Sequence, residues 1–270
     1  MMVSTAVNPE INKASRVATT KIVLIVEYDG TRYHGLQWQV GLPTIQRELE
    51  TALKKLTGDS IRVIATSRTD AGVHAKGQVV SFRTKSTLPP PKFVSGLNYY
   101  LPPDIAVREA HRADDSFRVR GGALSREYNY YILNSPTRSP LQSSFAHLVS
   151  GHLDIDAMNQ ASQALIGRHD FISFASSIGG SLKNTVRQVY RAGVKRDGEL
   201  VIFNIEANSF LPHQVRNIVG CLIRIGLGRM SQDEFHSIIK SVKPGLAGPT
   251  TPPNGLCLMR VNYPHSFEGK

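Results

Sequence analysis

Cysteine is scarce. Cys221 and Cys257 are the only two in 270 residues, and both lie in apolar runs without metal-ligand spacing. A disulfide framework is excluded on that ground, and the pair reads as buried thiols of a reducing, cytoplasmic compartment. Long hydrophobic runs are also missing. The longest, such as "IVLIV" at 22–26, fall far short of the roughly 20 residues that a membrane-spanning helix needs. The chain opens without the charged-then-apolar pattern of a signal peptide. Residues 1–20 are polar, carry Pro9 and lack periodicity, so they are expected to form a flexible tail. Glu10, with only Lys13 and Arg16 as bases, argues against a transit peptide. Histidines are scattered: His74, His152, His169 and His213 have no partners at ligand spacing, and no metal is expected.

Acids are in deficit. Lysine and arginine number 32 against 21 aspartates and glutamates, a formal net charge of +11, and the pI is near 9.8. A surplus of that size favours polyanionic partners, nucleic acid first and acidic membrane second. The bases cluster. "SFRVRGGALSR" (116–126) carries Arg118, Arg120 and Arg126 with no acid among them, and Arg68, Lys76, Arg83 and Lys85 surround a single carboxylate, Asp70. Such clusters suit a phosphate track.

The hydrophobic pattern predicts two α+β halves. In the first, "KIVLIVEYDG" (21–30) reads as a strand. Thr44 caps a helix carrying Ile45, Leu49, Ala52, Leu53 and Leu56 on one stripe, and Gly58 ends it. Strands follow over 61–66 and 77–83, then a helix over 91–101 and a strand near 105–112. This strand–helix–strand–strand–helix–strand order is ferredoxin-like. In the second half "REYNYYIL" (126–133) is a strand and a helix spans 155–166. Two strands then meet at Asp197-Gly198, a strong hairpin dipeptide. Further helices begin near Pro212 and, behind the capping box Ser231/Glu234, at 232–241. "GLCLMRVNY" (255–263) closes as a strand. The expected division is a tail at 1–20 and domains at 21–115 and 116–270. Each domain is ferredoxin-like or RRM-like, with a mostly antiparallel sheet, helices on one side and a cleft between the two.

"SRTDAGVHAKGQVVSF" (67–82) concentrates the chemistry. Asp and Gly often share a turn because Asp bonds its own loop amides. Here basic neighbours surround the carboxylate, as a nucleophile or base requires. Arg68 could pair with Asp70 or face a phosphate. No second acid lies near, which argues against glycoside hydrolysis by a carboxylate pair. His74 reads as a packing residue or a partner of the backbone. On the helix after Pro212, Val215, Ile218, Val219 and Leu222 form an apolar face. His213, Arg216, Asn217, Gly220 and Arg224 form a polar one that resembles a lining more than a solubilising coat. Gly220 within it would admit another backbone or a ligand. Tyr128 is either ordinary strand packing or a stacking platform for a base.

Taken in order, "YDGTRYHGLQWQ", "TIQRELETAL", "RTDAGVHAKGQVVSF", "REYNYYIL", "FLPHQVRNIVG" and "GLCLMRVNY" resemble the motifs of the TruA family of tRNA pseudouridine synthases, across nearly the whole chain beyond the tail. The resemblance implies an isomerase that converts uridine to pseudouridine at positions 38 to 40 of the tRNA anticodon arm, working as a homodimer without a cofactor. It makes Asp70 the catalytic aspartate and Arg68 the arginine that enters the space around a flipped nucleotide. Tyr128 becomes the residue stacked on the base, Arg216 the basic partner of the aspartate, and Leu256 an apolar neighbour of the uracil. Arg118, Arg120, Arg126 and Arg224 are expected on the RNA backbone. Ser67, Leu36 and "FRVR" (117–120) depart from the family's usual residues, and the last of these bears on RNA docking. Two rivals belong to other classes: a catalytically silent RNA-binding protein on the same scaffold, and a small-molecule hydrolase using Asp70 with His74.

Overall fold

The structure, a computed structural model, describes residues 19–176, 184–264 and 267. The expected tail falls outside them except for its last two positions.

In the first half the apolar run at 22–26 forms the middle of β1 (Thr20–Tyr28), paired on both edges by other strands, and Ile22, Val23, Leu24 and Val26 are buried. α1 (Ile45–Thr57) begins where Thr44 accepts from the Arg47 N–H and ends at Gly58 with φ 80°. Its stripe of Ile45, Leu49, Ala52 and Leu53 is buried, as the periodicity predicts. The strand expected over 61–66 shrinks to β2 (Ile64–Ala65). Helix side chains satisfy the backbone just before it: Val63 N–H donates to Glu50, and Gln46 donates to the Val63 carbonyl. A strand ladder is therefore not needed there. β3 (His74–Thr84), α2 (Pro90–Tyr100) and β4 (Ile105–Ala113) complete the ferredoxin-like order.

The second half runs β5 (Ser125–Leu133), β6 (His147–Leu148), α3 (Ile155–Gln163), β7 (Gly167–Asp170), β8 (Val186–Asp197), β9 (Leu200–Ala207), α4 (Gln214–Gly226), α5 (Gln232–Ser241) and β10 (Leu256–Asn262). β8 and β9 turn at Gly198, φ 59°, where the Asp-Gly pair predicts a hairpin. Ser231 and Glu234 form the expected reciprocal cap of α5. The helix predicted over 155–166 stops early, and the chain turns into β7 against β8.

The described strands form one mixed sheet in the order β4-β1-β3-β10-β5-β9-β8-β7, with β2 on β3 and β6 on β5. β10, the last of the described strands, is therefore inserted between the halves. β10 runs antiparallel to β5 but parallel to β3, through only the pairs Cys257↔His74 and Leu258↔Ala75. Gly77 makes this approach possible, because a Cβ there would stand 2.6 Å from the Met259 carbonyl oxygen. Val73, Ala75, Tyr128, Leu256 and Leu258 are buried across the seam and belong to one continuous core.

Candidate active site

Three chain segments arrive at the same end of the seam: the loop entering β3, the start of β10, and the turn into α4. The loop 67–73 is pinned from behind. Buried Gln78 holds Ser67 by both backbone groups, donating to its carbonyl at 2.9 Å and accepting from its N–H at 3.4 Å. Tyr28 hydroxyl and Thr69 Oγ1 share a hydrogen bond of 2.8 Å. The Leu36 N–H donates to the Thr69 carbonyl and the Gly72 N–H to that of Tyr33. The "HGLQWQ" segment thus supports the loop partly through the backbone of residue 36, which any side chain there can provide. Fixed from these directions, Asp70 presents a side chain that is 37% exposed.

Arg216, one turn into α4, reaches that carboxylate. Its Nη1 donates to Asp70 Oδ2 at 3.2 Å and its Nε to the Thr251 carbonyl at 2.8 Å. The guanidinium is thereby stretched between the loop of one half and the segment before β10. That segment can lie against the helix because Gly220 has no side chain; a Cβ would meet the Pro249 carbonyl oxygen at 2.9 Å. The close approach expected at Gly220 is thus made by backbone. His213, expected on the polar lining but given no role there, stands with Nε2 3.4 Å from the same Asp70 oxygen. Its position before the helix was visible in the sequence, but its φ of 60° was not. That conformation is rare for a residue with a side chain.

Asp70 and His213 face a cleft of about 440 Å³ whose lining also includes Arg68, Arg126, Tyr128, Phe210 and Leu256. The volume falls in the range of pockets that enclose small ligands. Tyr128 lies edge-on to Phe210, ring centroids 5.2 Å apart and planes at 89°. Burial pushes its phenol well above the ordinary tyrosine value, and nearby Tyr28 and Asp70 add to the effect. Leu256 begins β10 and forms part of the apolar wall. Arg68 is exposed at the rim.

The other arginines separate by environment. Arg118 and Arg120 are exposed, with Arg120 Nε donating to the Ala65 carbonyl. Arg126 lines the cleft, but its guanidinium donates to Ser67 Oγ and to the carbonyls of Ala123, Asn208 and Arg120. Burial lowers its pKa. With most of its five donors in use, it fastens the 118–126 segment to the cleft wall. Arg224 departs from the expected phosphate contact: Nη2 donates to the Ala247 carbonyl at 2.7 Å and its guanidinium lies beneath Gly248. Helical periodicity places it with Arg216, but a loop that returns against the helix covers it. Asn217 is buried and donates to the Phe174 carbonyl at 2.7 Å. Of the expected polar lining, His213 and Arg216 reach Asp70.

His74 is turned away from the cleft. Its Nδ1 lies 3.1 Å from the Gly30 backbone nitrogen and 3.2 Å from Asp29 Oδ1, and its Nε2 faces the Asn254 carbonyl at 3.2 Å. Its ring packs on Phe145. This matches a packing and backbone-bonding role and removes it as a partner of Asp70.

The family described as tRNA pseudouridine synthase matches residues 24–120 and 161–264, which take in Asp70, Arg216 and Leu256. Among similar proteins, tRNA pseudouridine synthase A of Thermoanaerobacter sp. (strain X514) is 42% identical over 242 residues, covering 90% of this chain and 99% of its own length. The protein of that name from Shewanella sediminis (strain HAW-EB3) is 40% identical over 248 residues, 92% of this chain and 95% of its own. That of Methylacidiphilum infernorum (isolate V4) is 40% identical over 245 residues, 91% and 96%. With the family match covering most of the chain and relatives 40–42% identical over nine-tenths of it, this chain belongs to the tRNA pseudouridine synthase family.

Proposed function

We propose that this chain isomerises uridine to pseudouridine at positions 38 to 40 of the tRNA anticodon arm, with Asp70 as the group that acts on the ribose. The observation that carries this reading is the anchored carboxylate: Asp70 opens on the cleft, held by Arg216 at 3.2 Å, between an exposed arginine and an aromatic wall.

The reaction breaks the bond from ribose C1′ to uracil N1 and forms one from C1′ to C5. N1 gains a proton, and the proton on C5 leaves to solvent. Nothing is oxidised or reduced, so the chemistry calls for no cofactor. A base stacked inside an RNA arm cannot reach Asp70, and its nucleotide has to be flipped into the cleft. Arg68, exposed at the rim, occupies the space it vacates. Tyr128 and Leu256 offer the freed uracil one aromatic and one aliphatic surface, which lets the ring turn without polar contacts that fix its orientation. Asp70 either attacks C1′ or removes the 2′ proton, and both routes need a carboxylate oxygen directed at the sugar. Arg118 and Arg120 extend the cationic surface along the RNA backbone. Residues 21–115 and 116–270 act as two α+β domains with the cleft between them. The enzyme works in the cytoplasm as a homodimer.

Tritium release from tRNA labelled at uridine C5 tests the reading. The protein should release tritium, and Asp70→Asn should bind tRNA yet release none. Release by the asparagine variant, or none by the unaltered protein with a tRNA carrying uridine at 38 to 40, would overturn it.

A further inference from the structure

We propose that His213 is a positioning residue for the reaction: together with Arg216 it holds Oδ2 of Asp70, so that Oδ1 is the oxygen delivered to the ribose. The inference rests on the function proposed above. Arg216 Nη1 at 3.2 Å and His213 Nε2 at 3.4 Å both address Oδ2. Oδ1 makes no hydrogen bond among the described residues and is not sealed from the cleft. A carboxylate held at one oxygen by a single contact can still swing about that contact. A second contact from a different direction restricts the swing, and Arg216 and His213 approach from two positions on the chain, one inside α4 and one before it.

The ring itself is oriented from the other side. Ser176 Oγ lies 2.5 Å from His213 Nδ1. When the hydroxyl donates to Nδ1, the ring proton resides on Nε2, facing Asp70. The backbone supports the same placement. His213 has φ 60° and ψ 2° and no side-chain cap on the helix, so its ring is free to turn into the cleft. A left-handed conformation at a residue with a side chain persists only where surroundings over-determine it. Here Asn217 N–H returns to the His213 carbonyl, and Gln214 accepts from the Leu211 N–H. His213 does not need to touch the substrate in this role. Its action passes through the carboxylate.

Two substitutions separate the ring's chemistry from the backbone. Asparagine tolerates the left-handed conformation but is too short to place a donor where Nε2 stands. Glutamine can place an amide N–H near that point. Single-turnover rates at saturating tRNA should fall in His213→Asn by on the order of 100-fold, as for a reacting group displaced by about an ångström. tRNA affinity and thermal unfolding should stay near those of the unaltered protein. His213→Gln should recover to within about tenfold of the original rate. An asparagine variant at full rate would overturn the proposal. So would equal losses in both variants with folding intact, or a loss confined to affinity. Asp70→Asn run in parallel keeps the two readings apart. If it remains active, the proposed function fails. If it is inactive while His213→Asn runs at full rate, only the role of His213 fails.

Discussion

Arg216 and Asp70 are 146 positions apart in the chain and meet through one hydrogen bond of 3.2 Å from Nη1 to Oδ2. The second prong of the guanidinium goes elsewhere, from Nε to the Thr251 carbonyl. The arginine thus ties together the Asp70 loop, α4 and the segment leading into β10, and this geometry sets its expected mutational behaviour. Arg216→Met removes both bonds from a side chain only 12% exposed. Single-turnover rate at saturating tRNA should fall steeply while binding changes little. Stability should drop by about 1–3 kcal/mol, because the Thr251 carbonyl and Asp70 lose their partner. Lysine should recover part of the rate, since it restores the charge but cannot donate in two directions from a planar group. Rapid-quench kinetics and denaturant unfolding measure the two effects separately.

Tyr128 offers a ring whose hydroxyl makes no hydrogen bond among the described residues. Tyr128→Phe should therefore keep most of the activity. Tyr128→Leu should lose roughly 10- to 100-fold, corresponding to about 1–3 kcal/mol of base stacking. Tritium-release rates on the two variants check this. If phenylalanine is as slow as leucine while the protein stays folded, the hydroxyl takes part and the stacking account is incomplete.

Arg118 and Arg120 stand exposed on the segment that Arg126 fastens to the cleft wall. Replacing both with glutamine should weaken binding to every tRNA and lower the slope of log affinity against log salt. The saturated single-turnover rate should be preserved. For the unaltered protein, affinity should fall by about one power of ten or more between about 50 and 200 mM salt. Filter binding across a salt series gives both slopes, and a flat profile would contradict a phosphate track.

Alkaline pH should loosen the support beneath Asp70. Burial pushes the phenols of Tyr28, Tyr130 and Tyr263 up to about 12 from an ordinary 10.0. In each case the folded state favours the protonated form. Their contribution to stability is fully present below about pH 10 and is lost as the pH rises through about 12. Because the Tyr28 hydroxyl shares a hydrogen bond with Thr69, next to Asp70 in the loop, its ionisation acts directly on the loop. Ultraviolet titration should show phenolate signals from these residues rising together with unfolding. Tyr28→Phe should flatten the loss of stability between about pH 10 and 12.

Local chemistry made much of this protein legible in its sequence. Thr44 and Gly58 bracket α1, Ser231 and Glu234 cap α5, and Asp197-Gly198 turns a hairpin, because each of these features depends on neighbours a few residues apart. The density of groups around Asp70 marks the loop for the same reason, and the ordered motifs that resemble the family carry the expectation of Arg216 as its partner. What only the tertiary structure decided is contact between distant segments. The parallel seam of β10 on β3 rests on two residue pairs some 180 positions apart, and no local signal encodes it. Helical periodicity gives Arg224 and Arg216 the same face, yet a returning loop takes one and the Asp70 carboxylate takes the other. The left-handed turn that brings His213 beside Asp70 depends on the ends of two elements being held in place, and a histidine by itself favours no such conformation.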